Sequence, residues 1–203
     1  MAYLVSTIFG TKTSNPFDVY YLSVTKTLFS NFSAMRWATS KGLSNKYFTR
    51  GAARKGQLDA LKYLHNKGFP WNEQTCEAAA EKGHLEVLKY LHENGCPWDE
   101  YTCSWAAYND HLGCLIYAIE NGCPYEDNEI CESAAEKGHL EVLKYLHENG
   151  CPWNYLTCTY AAENGHLNCL IYAQENGCPC EDNICTHAKD PEIIQYLQDN
   201  FIC

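Results

Sequence analysis

Residues 72–98 read NEQTCEAAAEKGHLEVLKYLHENGCPW. The first half, from Thr75 to Lys82, is rich in Ala and Glu, both good helix formers, and Asn72 or Thr75 can cap its start. Gly83 ends it, because glycine tolerates the left-handed backbone of a helix C-terminus. The second half places apolar residues at Leu85, Leu88 and Leu91, with Val87 and Leu91 four apart, the spacing of one helical face. Asn94-Gly95 stops this second run and Pro97 forbids its continuation. The pattern predicts two short antiparallel helices joined by a tight turn, with an apolar side that the pair alone cannot cover.

The same pattern recurs along the chain. AAEKGHLEVLKYLHENGCPW stands at 79–98 and again, unchanged, at 134–153, with looser copies at 52–71, 106–125 and 161–180. The steps between equivalent residues are 27, 27, 28 and 27. The full units run 45–71, 72–98, 99–125, 126–153 and 154–180. Two partial units flank them, 17–44 and 181–203, and residues 1–16 form a lead segment outside the repeat. The second and fourth units resemble each other, as do the third and fifth, so a pair of units has been duplicated. Helical pairs that bury their apolar sides on one another predict an all-α solenoid, a single domain over 17–203 with a continuous core. The last unit carries Asp190-Pro191, an N-cap followed by proline in the first helical turn, as an adapted end unit would.

The recurring core, Ala79, Ala80, Gly83, His84, Leu85, Val87, Leu88, Leu91 and Gly95, resembles the ankyrin repeat. Two features depart from that pattern. The usual Thr-Pro-Leu-His start is absent, with Cys76 where its Leu would fall, and the unit is about six residues shorter than the usual length. The missing residues would come from the β-hairpin finger, so the resemblance implies stacked helix-turn-helix units with little or no finger. The short Cys-Pro-Trp version is similar to arrays encoded by giant DNA viruses of amoebae and by some protists. The resemblance implies an intracellular, non-catalytic protein-binding scaffold, in the host cytoplasm if the source is viral. It also implies an alternative role as an adaptor recruiting substrates to a host ubiquitin ligase, although residues 1–28 show no ligase-docking pattern.

Composition agrees with a soluble core-forming chain: 46% of residues are apolar and 20% charged. No run of eighteen apolar residues is present, so no membrane partner is expected. The start, MAYLVSTIFG, has no basic segment before its apolar stretch and does not read as a secretion signal. Thirteen cysteines, an odd number without an export signal, point to a reducing compartment and a cytoplasmic location. The net charge of −10 conceals a split: residues 1–71 carry ten Lys/Arg against Asp18 and Asp59, whereas 72–203 carry five basic residues against twenty-three acidic.

Cysteine and histidine raise metal and thiol chemistry. Cys76, Cys103, Cys131, Cys158 and Cys185 share one repeat register, Cys96, Cys123, Cys151 and Cys178 a second, and Cys114 and Cys169 a third. Equivalent positions in stacked helices lie roughly 8–10 Å apart, too far for same-register thiols to share a zinc ion at about 2.3 Å from each sulfur. Small buried apolar residues are the expected role. The cluster Cys178, Cys180, Cys185 and His187 is the sharpest metal alternative, though its spacing is not one of the strong zinc patterns. His84, His111, His139 and His166 sit in the turn between helices, and His65, His92 and His147 on the second helix. Such repetition fits a turn-stabilising hydrogen bond better than a catalytic base. No nucleophile–base set, phosphate loop or paired-carboxylate site stands out, so neither catalysis nor a cofactor is expected.

Specificity should lie where the units differ. The position of Ala78 is Gly51, Trp105, Ser133, Tyr160 or His187 elsewhere, and the pair before the turn residue includes Arg54-Lys55, Tyr108-Asn109 and Glu163-Asn164. Large aromatics anchor interfaces, so Trp105, Tyr108, Asn109, Tyr160 and Asn164 are the expected contacts to a protein partner. The plainer role for Trp105 and Tyr160 is to fill core space. Asp110 stands where other units have the turn glycine. Arg50, Arg54 and Lys55, near Tyr47 and Phe48, offer a rival basic site for nucleic acid or an acidic protein. A nucleic-acid site would want a more basic domain overall. A basic front and an acidic body could also meet head to tail in self-association.

Overall fold

The computed structural model describes residues 46–125, 129–181 and 183–200. The lead segment 1–16, the partial unit 17–44, and residues 126–128, 182 and 201–203 lie outside the described residues. Among the described residues the chain is all helix and connection, with no strand. Five helical pairs follow in order: α1 (Lys46–Arg54) with α2 (Leu58–Asn66), α3 (Glu73–Glu81) with α4 (Leu85–Glu93), α5 (Glu100–Tyr108) with α6 (Leu112–Glu120), α7 (Glu129–Lys137) with α8 (Leu140–Glu148), and α9 (Tyr155–Glu163) with α10 (Leu167–Glu175). A short α11 (Ile184–His187) and α12 (Pro191–Asp199) close the array. The pairs fall on the units read from the sequence, and among the described residues no β-hairpin finger separates them.

Nine-residue helices are too short to be stable alone in water, so the stacking between units holds them. The first helix of each unit contributes a small, flat buried side: Cys76, Ala79 and Ala80 in α3, Cys103, Ala106 and Ala107 in α5, Cys131, Ala134 and Ala135 in α7. Small side chains let successive first helices approach closely. The second helices bury larger residues against them, Val87, Leu88 and Leu91 in α4 and Val142, Leu143 and Leu146 in α8. First helices contact their neighbours along their length, whereas second helices meet only sparsely. The array therefore curves with the first helices on its inner, concave side.

Local chemistry sets the ends of each element. Asn72 enters α3 with extended backbone, and its N–H donates to Thr75 Oγ1 at 3.3 Å. Asn154 caps α9 by accepting from Leu156 N–H at 2.8 Å, and Asp190 caps α12 by accepting from Glu192 N–H at 2.8 Å ahead of Pro191. The helix-ending turn needs a left-handed residue: Gly83 has φ +70°. Asp110 adopts φ 60° at the same place, the one non-glycine residue with positive φ among the described residues.

Candidate interaction face

The outward stripe of each first helix lines the concave side. In α5 this stripe is Tyr101, Trp105 and Tyr108, spaced by four and three and hence on one helical face. All three are exposed, at 56%, 39% and 37%, although each is a large ring. Burial is taken instead by Thr102, Cys103, Ala106 and Ala107. Trp105 and Tyr108 meet edge to face with ring centroids 5.9 Å apart and an interplanar angle of 80°. The core-filling role considered for Trp105 is therefore not the one the structure gives it.

Tyr108 also receives a cation from the next unit. Lys137 Nζ lies 4.7 Å from the centre of its ring and 2.7 Å from Glu136 Oε1. The Glu136 carboxylate first, and Tyr108 second, push the Lys137 ammonium up to about 12. The backbone behind the ring is fixed, because His139 Nε2 lies 3.0 Å from the Tyr108 carbonyl oxygen.

Carboxylates surround this aromatic stripe. Helices α3, α5, α7 and α9 carry eight of them and one lysine, while α1 carries three basic residues and no acid. Partial burial pushes the Glu77 carboxyl up, Asp99 adds to this, and Arg50 opposes it. Burial raises Glu81 as well, but hydrogen bonds from Lys82 and Arg54 reverse this and hold it below its ordinary value.

The structure sorts the remaining predicted contacts. Tyr160 is half-buried on α9, two units beyond Trp105, so the structure does not join it to the Trp105–Tyr108 pair. Asn109 and Asn164 donate from Nδ2 to the carbonyls of Trp105 and Tyr160, each at 2.9 Å. Asn94, Asn121, Asn149 and Asn176 make the same bond at the ends of second helices. Asn109 and Asn164 thus serve the helix end in this conformation. Of the basic group, Arg54 forks onto both oxygens of Glu81 in the next unit and Arg50 faces the charge of Glu77, while Lys55 is exposed. Part of that positive charge is already answered within the chain.

No three His, Cys, Asp or Glu side chains gather into a metal-holding group among the described residues. Cys178, Cys180, Cys185 and His187 are thus not drawn to one point. The thiols instead pair across registers within a unit, which same-register spacing did not reveal. Cys131 Sγ is 3.2 Å from Cys151 Sγ, and Cys76 and Cys103 hydrogen-bond Cys96 and Cys123 likewise. In each pair the first thiol is pushed up by the hydrogen bond to its partner and then by burial, and stays protonated.

The histidines divide in two. The turn histidines bond the preceding unit: His84, His111, His139 and His166 place Nε2 at 3.2, 3.2, 3.0 and 3.0 Å from the carbonyls of Arg54, Glu81, Tyr108 and Glu136. The second-helix histidines do not serve a turn. His92 stacks on Trp98 at 3.9 Å and bonds the Tyr117 hydroxyl at 2.9 Å, and His147 stacks on Trp153 at 3.8 Å. Sequence reading also missed Tyr101 and Tyr155, exposed near the starts of α5 and α9.

Comparison with known proteins agrees with this architecture. Residues 75–155 match a family model described as ankyrin repeats (3 copies). The crystal structure of the human ASB11 ankyrin repeat domain is similar, with a TM-score of 0.62 and 20% sequence identity over 74% of this chain and 82% of that chain. No curated protein matches. Residues 75–155 are thus similar to ankyrin repeats, and the array has the fold of an ankyrin repeat domain.

Proposed function

We propose that the protein is a non-catalytic scaffold that binds a protein partner on its concave side, with Trp105, Tyr108 and Tyr101 as the central contacts. The observation that carries this reading is the exposure of three large rings on one face of α5, held there by a helix whose other side is already packed with Ala, Cys and Thr. Large rings exposed together on a rigid element offer contact area at little conformational cost.

Charge narrows the partner to a basic segment. The first helices flanking α5 are acidic, and Tyr108 already accepts the Lys137 ammonium against its ring. A second cation, lysine or arginine from a partner, would find the Trp105 ring with the Glu81 and Glu136 carboxylates at the Tyr108 position of the flanking helices. Rings and carboxylates together favour cations through quadrupole and Coulomb attraction.

Selection from a random peptide display library tests this. Enrichment of sequences with net positive charge, lost in Trp105→Ala and weakened as salt rises, is the expected result. Enrichment of acidic sequences, or of sequences indifferent to Trp105→Ala, would contradict it.

A further inference from the structure

Arg54, Glu81, Tyr108, Glu136 and Glu163 share one repeat register, near the ends of α1, α3, α5, α7 and α9. Between the first two of these helices the chain closes its own ion pair. Both terminal nitrogens of Arg54 donate to the Glu81 carboxylate, one to each oxygen, and Lys82 Nζ lies 3.0 Å from Glu81 Oε1. The Glu81 side chain keeps only 18% of its surface exposed. A planar guanidinium matches a planar carboxylate in this fork, which the single ammonium of a lysine cannot form.

Glu136 stands where Glu81 stands, but the helix before it offers Tyr108 in place of Arg54. The unit 99–125 holds no Lys or Arg, so it has no guanidinium to fork onto Glu136. The Glu136 carboxylate instead meets Lys137 Nζ at 2.7 Å from Oε1, and its side chain is 38% exposed. The same ammonium lies 4.7 Å from the centre of the Tyr108 ring. A ring and a carboxylate therefore hold one point charge between them. The ring is set in place from two sides: Trp105 packs on it edge to face at 5.9 Å, and His139 Nε2 lies 3.0 Å from the carbonyl oxygen behind it. Lys137 is partly exposed, so its ammonium can return to water without unpacking the stack. Glu163, next in the register, faces Lys189 at 3.6 Å.

We propose that Tyr108 and Glu136 form an arginine seat, in which the guanidinium of a basic protein segment forks onto Glu136, stacks on the Tyr108 ring and displaces Lys137. This seat rests on the basic-partner reading above and narrows the cation to arginine. The partner supplies from outside what Arg54 supplies to Glu81 from within the chain. A guanidinium is more weakly hydrated than an ammonium, makes two parallel bonds where Lys137 makes one, and lays a flat face on the ring. A partner lysine would only exchange one ammonium for another, so the resident Lys137 acts against lysine and in favour of arginine. Glu81 contributes its charge to the surroundings, but its oxygens are already taken by Arg54 and Lys82.

Fluorescence anisotropy with labelled oligoarginine and oligolysine of equal length, titrated with the full-length protein, tests the seat. Oligoarginine should bind about fivefold tighter or more. Glu136→Gln should erase that preference, and so should Tyr108→Arg, which fills the seat from within as Arg54 does one pair of units earlier. Lys137→Met should raise the affinity for oligoarginine more than Lys82→Met does, because Lys82→Met removes the same charge beside a carboxylate that Arg54 already closes. None of these side chains belongs to the buried core, so thermal unfolding of each variant should stay close to that of the unsubstituted protein. An arginine preference that survives Glu136→Gln and Tyr108→Arg, or equal gains in the two lysine variants, would overturn the seat while leaving a basic partner in place. Failure of both peptides to bind the unsubstituted protein would overturn the basic-partner reading and the seat together.

Discussion

The ring of His111 lies against Gly83 of the preceding unit, where a Cβ would come within 2.5 Å of Nδ1. His84 and His166 lie in the same way against Gly56 and Gly138. The turn glycine is thus required twice, by its left-handed backbone and by the histidine of the next unit. Asp110 meets neither requirement well. It holds φ 60°, and its Oδ1 is 3.8 Å from Nδ1 of His139. Asp110→Gly is therefore expected to stabilise the protein by about 0.5–1 kcal/mol in urea denaturation, since glycine removes the left-handed penalty. Asp99 offers a second test at this scale. Burial, then Glu100 and Glu73, push its carboxyl up, although Tyr101 and Thr102 N–H groups favour the anion. An acid with a raised folded-state pKa contributes stability below its unfolded value and loses it as pH rises through the folded value. Asn72 and Asn154 perform the same capping without charge. Asp99→Asn should stabilise at pH 7 by under about 1 kcal/mol because solvent screens the site, and the gain should vanish near pH 3, where Asp99 is protonated. A gain that persisted at low pH would assign the effect to something other than charge.

Among the elements, the short helices depend on a division of labour between small and large side chains. Ala79, Ala80, Ala106 and Ala107 bring first helices together, and Leu88 and Leu91 fill the space behind them, each fully buried. Leu88→Ala should cost about 2–5 kcal/mol, measured by chemical denaturation, while truncation of exposed Glu86 should cost little. This layer was legible in the sequence, because a 27-residue period, a turn glycine and helical spacing of leucines state it directly. The contacts between units were less legible. The turn histidines were recognised as turn-stabilising, but their acceptor lies 30 or 31 residues back in the preceding unit. The His–Trp–Tyr plates escaped notice because their members fall on three different elements. His92 lies in α4, Trp98 follows it, and Tyr117 lies in α6. For the same reason the thiol pairs, twenty residues apart within one unit, did not show in same-register spacing. On the candidate face, Trp105 and Tyr108 were readable as departures from the repeat. Tyr101 was not singled out, and the helix-end role of Asn109 emerges only from its bond to the Trp105 carbonyl.

Across the whole molecule, repetition supplies the frame, and two units depart from it in the residues they expose. The unit 99–125 carries Tyr101, Trp105 and Tyr108 where its neighbours carry Gln74, Ala78 and Glu81 or Glu129, Ser133 and Glu136, and the unit 154–180 carries Gln174 and Cys180 where 72–98 and 126–153 carry histidine and tryptophan. The buried core passes through both units unbroken. None of the described helices is long and apolar enough to cross a membrane, and the inner row on which the proposed partner face lies is basic in α1 and acidic from α3 to α9. The most direct test is a paired measurement on Trp105→Ala: thermal unfolding, and affinity for a basic peptide selected on the unsubstituted protein. The account predicts a melting temperature within about 2 °C of the original and affinity lowered about tenfold or more, as for a central aromatic contact. A sharp fall in melting temperature with affinity unchanged would place Trp105 in the core and contradict the account.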